Sequence, residues 1–357
     1  VTRESSPRKG RGASLSPDPR YLDTTREDFD DGWDGDAEPP PPLRTVVKEE
    51  KARSIIARND SPDIPFRASI NPYRGCEHGC IYCYARPTHA YLDLSPGVDF
   101  ESRLFAKANA ADLLRAELGR PGYRPELIAL GANTDPYQPI ERLRLITRRV
   151  IEVLAECNHP LGIVTKSALV ERDIDLLAPM AARNLVNVFV SITTLDHELA
   201  RRMEPRATAP RRRIETLRRL SAAGIPVGVM FAPVIPALND SDMERVLAAA
   251  AGAGARHAGY VMIRLPLEIK DLFRDWLEKH YPLKAAHVMS VICDLREGRD
   301  YRADFATRQT GTGPYAALVQ RRFRLACERL GLNRNDPRPT DALFTPPSAH
   351  RDQLSLF

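Results

Sequence analysis

Between residues 66 and 280, six short apolar runs alternate with amphipathic segments of helical period, and this alternation limits the possible folds more than any other feature of the chain. The runs lie at 67–71, 127–131, 161–165, 186–192, 226–232 and 260–265. The helical patterns lie at 110–118, 140–156, 173–183, 210–223, 241–253 and 268–280. Strand, helix, strand with short connections specifies βαβ units and a parallel sheet, hence an α/β fold. Right-handed crossovers curl six such units into a partial (β/α)6 barrel. A doubly wound open sheet is the competing arrangement, but no G-x-G-x-x-G follows any run. In an α/β barrel ligands bind at the C-terminal ends of the strands, so residues just past each run are expected to carry function.

The flanks differ in composition from this core, which is taken as residues 66–280. Residues 1–65 hold 11 Lys/Arg, 14 Asp/Glu and nine prolines, including Pro39 to Pro42. They read as a mostly flexible acidic leader, too poor in apolar surface to offset ordering entropy. Two stretches within it are expected to dock on the body: 21–33 through its aromatics, and 45–56 as a short helix. Residues 283–296 and 314–330 read as helices of an extension over 281–340, and 341–357 as a flexible tail. No run approaches the roughly 20 apolar residues of a membrane helix. Residues 1–10 do not read as a secretory signal, and six cysteines are too sparse for a disulfide scaffold, so a cytoplasmic location is expected.

Net charge is +5, made of −3 on the leader and +8 on the remainder, and 44 of the 52 cations are Arg. Arginine forks suit phosphate. Arg201, Arg202, Arg206, Arg211, Arg212 and Arg213 crowd the stretch after the fourth run, and Arg321, Arg322 and Arg324 lie on the last helix. Either set could attract a phosphate backbone, or could instead be a solvated helix surface with local ion pairs.

Just past the first run stands Cys76-Glu77-His78-Gly79-Cys80-Ile81-Tyr82-Cys83, a C-x3-C-x2-C motif. Three thiolates so close in sequence converge on one soft metal centre. A structural zinc ion wants a fourth protein ligand, which His78 or His89 could supply. A cubane iron–sulfur cluster held by three cysteines keeps one iron open to an exogenous ligand. Tyr82, between the second and third cysteines, suits an adenine that must stack beside the cluster.

This motif at the first strand of an α/β barrel resembles the signature of the radical S-adenosylmethionine (SAM) superfamily, and the resemblance runs over residues 69–265. It implies a TIM-like partial barrel of the radical SAM type. It also implies a [4Fe-4S] cluster on Cys76, Cys80 and Cys83, with S-adenosyl-L-methionine chelating the open iron. Reductive cleavage of SAM would yield a 5′-deoxyadenosyl radical that abstracts hydrogen from a substrate, with the electron coming from a donor the residues do not identify. Cys83-Tyr84-Ala85-Arg86, Thr134-Asp135-Pro136-Tyr137, Val164-Thr165-Lys166, Val190-Ser191-Ile192, Glu204-Pro205 and Ala223-Gly224-Ile225-Pro226 together resemble the spore photoproduct lyase, or DNA repair photolyase, branch. By that resemblance Tyr84 lies near the adenine, and Thr134 and Asp135 near the ammonium and methionine end of SAM. Lys166 pairs with the SAM carboxylate and Ser191 bonds the ribose, with Tyr84 and Asp135 as the catalytic candidates. DNA repair or base modification, by a lyase, is the implied activity. Alternatives are a radical enzyme acting on a protein or metabolite, and a zinc-stabilised adaptor without catalysis.

One departure from that branch concerns the hydrogen donor. Where spore photoproduct lyase carries a cysteine at the end of the second strand, this chain has Ala132. Tyr84 or Tyr137 is left as the candidate relay, while Cys157, Cys293 and Cys327 read as small buried hydrophobes. The chain ends Gln353-Leu354-Ser355-Leu356-Phe357, which resembles the peptide by which bacterial polymerases and repair proteins attach to the replication sliding clamp.

Overall fold

The computed structural model describes residues 10–22, 43–335 and 338–347. Among these residues ten strands form two sheets: β1 (Val46–Glu50), β2 (Ile56–Arg58), β3 (Ala68–Ile70), β4 (Tyr73–Arg74), β5 (Arg103–Lys107), β6 (Ile128–Leu130), β7 (Leu161–Thr165), β8 (Val186–Ser191), β9 (Val227–Val234) and β10 (His257–Met262). In the larger sheet β3, β6, β7, β8, β9 and β10 run parallel in that order, and β2 lies antiparallel on the β3 edge. This is the expected α/β partial barrel of six parallel strands. One face of its central strands is fully buried, through Val186, Val188, Val190, Val227, Val229 and Phe231, while Asn187, Phe189 and Met230 on the other face are half-buried. Each of the fully buried side chains contributes about 1.5–3 kcal/mol by leaving water.

The helical pattern at 140–156 is broken in the structure. Leu145 adopts a left-handed conformation, separating a turn at Glu141–Arg144 from the helix Ile146–Glu156. Glu141 explains the break. Its buried carboxylate accepts the N–H groups of Thr147 (3.0 Å) and Arg148 (3.3 Å), which are first-turn donors that lack a helical partner. It also accepts from the Tyr73 hydroxyl and pairs with Arg172.

The smaller sheet, in the order β1-β5-β4, controls the cysteine loop. The chain enters that loop through β4 and leaves through β5, and these two strands pair antiparallel, which closes the neck. Strand β1 pairs parallel with β5, so the helix expected over 45–56 is instead β1 and β2. The local Lys-Glu-Glu-Lys run favours helix, but pairing with β5 and β3 outweighs that weak preference. The leader is also more ordered than expected where it is described. Ala13 and Leu15 are buried in a second apolar core with Ile81, Tyr82, Phe273 and Trp276, and Tyr21 stacks on Tyr91 with ring centres 5.1 Å apart. The rest of the expected docking stretch, 23–33, lies outside the described residues. Helices Pro282–Asp294 and Gly313–Leu330 match the expected extension; the first joins the second core through Val288 and Ile292.

Candidate active site

Cys76, Cys80 and Cys83 stand on the closed loop between β4 and β5, at the end of the barrel where β3 terminates. The loop is pinned by backbone bonds from Cys76 N to the Phe100 carbonyl (2.9 Å) and from Cys83 N to the Cys80 carbonyl (3.2 Å). Burial pushes all three thiols up, Cys80 to about 12, so an apolar pocket alone leaves them protonated. Backbone N–H groups oppose this: that of Asp135 favours the Cys76 thiolate, and those of Ala85 and Arg86 favour that of Cys83. Arg86 and Lys166 near Cys83, and Lys166 and Arg213 near Cys80, favour the thiolates as well, and thiols held this way have the chemistry of iron–sulfur ligands, to which bound metal would add further positive charge. The zinc alternative fits less well. His78 faces Asp135 at 3.3 Å, and His89 Nε2 is engaged with the Arg103 carbonyl at 2.9 Å. Among the described residues no three His, Cys, Asp or Glu side chains gather tightly enough to hold a single ion.

The strand-end residues assemble beside this loop. Gly131, after β6, has φ of 89°, and a Cβ there would lie 2.1 Å from the Val164 carbonyl oxygen, so only glycine lets β6 turn toward β7 at this point. The turn delivers Asp135, whose half-buried carboxylate accepts from Thr165 Oγ1 (2.7 Å), Lys166 N (2.7 Å) and Tyr137 N (2.9 Å). Burial pushes Asp135 up, but His78 and these donors outweigh it and hold the carboxyl at about 2. Lys166 Nζ donates to Ser191 Oγ at 2.9 Å and lies 5.8 Å from the Tyr82 ring centre. Its ammonium thus meets a hydroxyl and an aromatic face rather than a carboxylate. Thr134 is turned away: it is buried, and its hydroxyl donates to the Tyr73 carbonyl at 2.8 Å.

The two relay candidates differ in position. Tyr137 is buried with its hydroxyl on Asp173 (3.0 Å), a structural position. Tyr84 is 45% exposed, and its hydroxyl donates to the carbonyl of Ala132, the position that lacks the thiol. Cys157 closes the helix Ile146–Glu156 and is buried in the main core; Cys327 is buried there too, and Cys293 is half-buried beside Asp300.

Two buried ion pairs beneath the loop escaped the sequence reading. Glu204 accepts from the Tyr82 hydroxyl, from Thr193 Oγ1 (3.1 Å) and from Arg213, which also donates to the Ser191 carbonyl (2.9 Å). Arg86 donates to the carbonyls of Cys80 (2.9 Å), Gly79 (3.1 Å) and Gly97 (2.8 Å) and pairs with buried Glu101. The adjacent letters Glu204-Pro205 and Cys83-Tyr84-Ala85-Arg86 were the available signals, but spacing alone does not show that a charge points inward. The expected phosphate-attracting arginine patch changes accordingly. Arg213 is internal, Arg212 pairs with Glu171, Arg202 with Glu198 and Arg206 with Glu77. On the last helix Arg322 pairs with Glu244 and Arg324 with Glu328.

Comparison with known proteins agrees with this geometry. The sequence model of the Radical SAM superfamily matches residues 70–250. An uncharacterized protein of Mycobacterium tuberculosis is 42% identical over 221 residues, covering 61% of this chain and 65% of that protein. The chain therefore spans just under two thirds of that relative's length. An uncharacterized protein of Methanocaldococcus jannaschii is 28% identical over 214 residues, covering 60% of this chain and 76% of that protein. Among solved structures, spore photoproduct lyase complexed with dinucleoside spore photoproduct matches with a TM-score of 0.54 at 16% identity, over 80% of each chain, a likeness of fold.

Proposed function

From the premise that this chain belongs to the radical SAM superfamily, we propose that Cys76, Cys80 and Cys83 hold a [4Fe-4S] cluster and that the adjoining strand ends bind S-adenosylmethionine. When bound, the two supply one electron and a 5′-deoxyadenosyl radical that takes a hydrogen atom from a substrate. The observation that carries this reading is the meeting of two buried thiols, Cys76 and Cys80, and the half-buried Cys83 with the Lys166–Ser191 pair over Tyr82. Lys166 is free of a carboxylate partner among the described residues and suits the SAM carboxylate, and Ser191 suits the ribose. Asp135 spends its oxygens on Thr165, Lys166 N and Tyr137 N, so it acts as a positioning residue for the Lys166 backbone. Glu204 fixes the Tyr82 phenol in the same way. Tyr84 holds a hydroxyl hydrogen at Ala132 and is the candidate relay to a product radical.

The substrate class proposed is nucleic acid, in DNA repair or base modification by lyase chemistry in the cytoplasm. The fold likeness to spore photoproduct lyase supports that class. The terminal Gln353–Phe357 peptide, outside the described residues, is proposed as a tether to the sliding clamp.

The test is anaerobic reconstitution. The expected product is a brown protein containing iron and sulfide that, supplied with a chemical reductant such as dithionite, converts SAM to methionine and 5′-deoxyadenosine. Replacing Cys76, Cys80 and Cys83 together by Ala should abolish both colour and product. A triple variant as active as the wild type would sink the proposal, and zinc without sulfide would favour the adaptor. Deoxyadenosine formation that responds to a protein or metabolite but not to DNA would move the substrate class.

A further inference from the structure

With most of the 201–213 arginines paired internally, the cation best placed to meet a substrate lies elsewhere, at the end of the last barrel strand. Ile263 N donates to the Val234 carbonyl at 2.9 Å, which keeps the chain beside β9 just past β10. The next residue, Arg264, therefore emerges at the C-terminal end of the barrel, where ligands bind. Its guanidinium carbon lies 5.3 Å from the ring centre of Tyr84, the residue directly after Cys83.

What surrounds this guanidinium does not neutralise it. Its Nη2 is 3.5 Å from the Tyr301 hydroxyl, at the outer limit of a hydrogen bond. Its Nε is buried without a hydrogen-bond partner. Among the described residues no carboxylate forms an ion pair with it. The neighbouring acid, Asp63, is engaged by Arg308 and by the N–H of Ala306 (2.6 Å). A second cation reinforces the imbalance: buried Arg296 donates to the carbonyls of Ile263 (2.8 Å) and Thr307 (2.9 Å), which satisfy its hydrogens without cancelling its charge. A buried N–H without an acceptor, in a positive field, is costly unless a ligand supplies an anion.

We propose that Arg264 anchors a phosphodiester group of the nucleic-acid substrate beside Tyr84, an assignment resting on the nucleic-acid reading above. The planar fork matches two phosphate oxygens and gives Nε its missing acceptor. The half-exposed Tyr84 ring next to it supplies the aromatic neighbour that single-stranded nucleic acids use. Arg264 thereby sets which nucleotide lies next to the cluster loop.

The test uses cluster-loaded full-length protein and a fluorescent single-stranded oligothymidylate of about 12 nucleotides, with binding read by anisotropy over a range of salt. R264A should bind about tenfold more weakly, the scale of one lost charged hydrogen bond. Its log–log salt slope should fall by about 0.7, the value of one phosphate contact to a single strand. R264K should keep the slope and lose part of the affinity. R183A, which removes an exposed arginine just before β8 at the end of the barrel opposite the cysteines, is the surface control, and its affinity and slope should stay at wild-type values. Iron and sulfide content reports whether each variant is folded, and R264Q replaces R264A if the latter fails that check. Wild-type affinity and slope in R264A, with the wild type itself binding, overturn the assignment and leave the nucleic-acid reading standing. Weaker binding with an unchanged slope overturns it too, since contact by shape alone leaves counterion release untouched. A wild type that does not bind the strand overturns the nucleic-acid reading and the assignment together.

Discussion

At the residue scale, burial decides what each polar group can do. His159, between the helix Ile146–Glu156 and β7, is fully buried, with Nδ1 at the Pro160 carbonyl (3.0 Å) and Nε2 at the Tyr123 hydroxyl (2.8 Å). Phe344 packs edge-on against its ring. Burial pushes the imidazole down from 6.5 to about 4, against the opposing pull of the Pro160 carbonyl and Asp341. Between those two values the unfolded chain binds a proton that the folded one refuses, so stability rises with pH across that window and is lost on acidification. Urea midpoints should therefore fall from pH 6.5 toward 4, with this residue adding a slope of up to about 1.4 kcal/mol per pH unit. H159Q, which has no titrating ring, should flatten that limb. An identical pH dependence in both proteins would refute the assignment. Asp135 and Glu204 illustrate the same rule: the resemblance marked only Asp135 as a site residue, and only their partners show that both orient other groups.

At the scale of elements, the cysteine loop is built from three distant pieces of chain. Residues 10–17 lie across it as a strap. Gly12 and Ala13 N–H groups each donate to Glu101 at 2.9 Å, and Glu101 in turn pairs with Arg86 under the cysteines. The approach is so close that a Cβ on Gly12 would stand 1.8 Å from the Gly79 carbonyl oxygen. A buried ion pair such as Arg86–Glu101 costs about 3–5 kcal/mol when one partner is removed, so the strap and the loop stand or fall together. Deleting residues 1–22, or substituting Gly12 by Leu, should speed air-driven bleaching of the reconstituted cluster and expose the loop to limited proteolysis. Bleaching and cleavage at wild-type rates would show that the strap shields nothing. Its Gly-Ala-Ser-Leu letters resemble linker, and the docking emerges only once Glu101 and the second apolar core exist to receive them.

At the scale of the whole molecule, the chain separates its two ends. The described C-terminal stretch bonds from Thr340 N to the Asn184 carbonyl (2.8 Å) and from Thr345 N to the Cys157 carbonyl (2.9 Å). Both partners precede β8 and β7, at the end of the barrel opposite the cysteines. If the proposed clamp tether is right, deleting Gln353–Phe357 should abolish capture by the sliding clamp and leave deoxyadenosine formation unchanged. Full clamp capture after the deletion would refute the tether. The barrel itself was legible in the sequence because its signal is local: apolar runs, helical periods and C-x3-C-x2-C are all read within a few residues. The strand-end candidates Lys166, Ser191 and Asp135 came from the family resemblance, and barrel geometry agrees with it by placing each where a ligand binds. Local letters do not determine which charges face one another across the fold. Tertiary structure alone turned Arg213 inward, made strands at Val46–Glu50 and Ile56–Arg58, folded part of the leader onto the cysteine loop and left Arg264 without an ion pair among the described residues. Those outcomes depend on pairing and burial between segments far apart in the chain, and neither exists until the chain has folded.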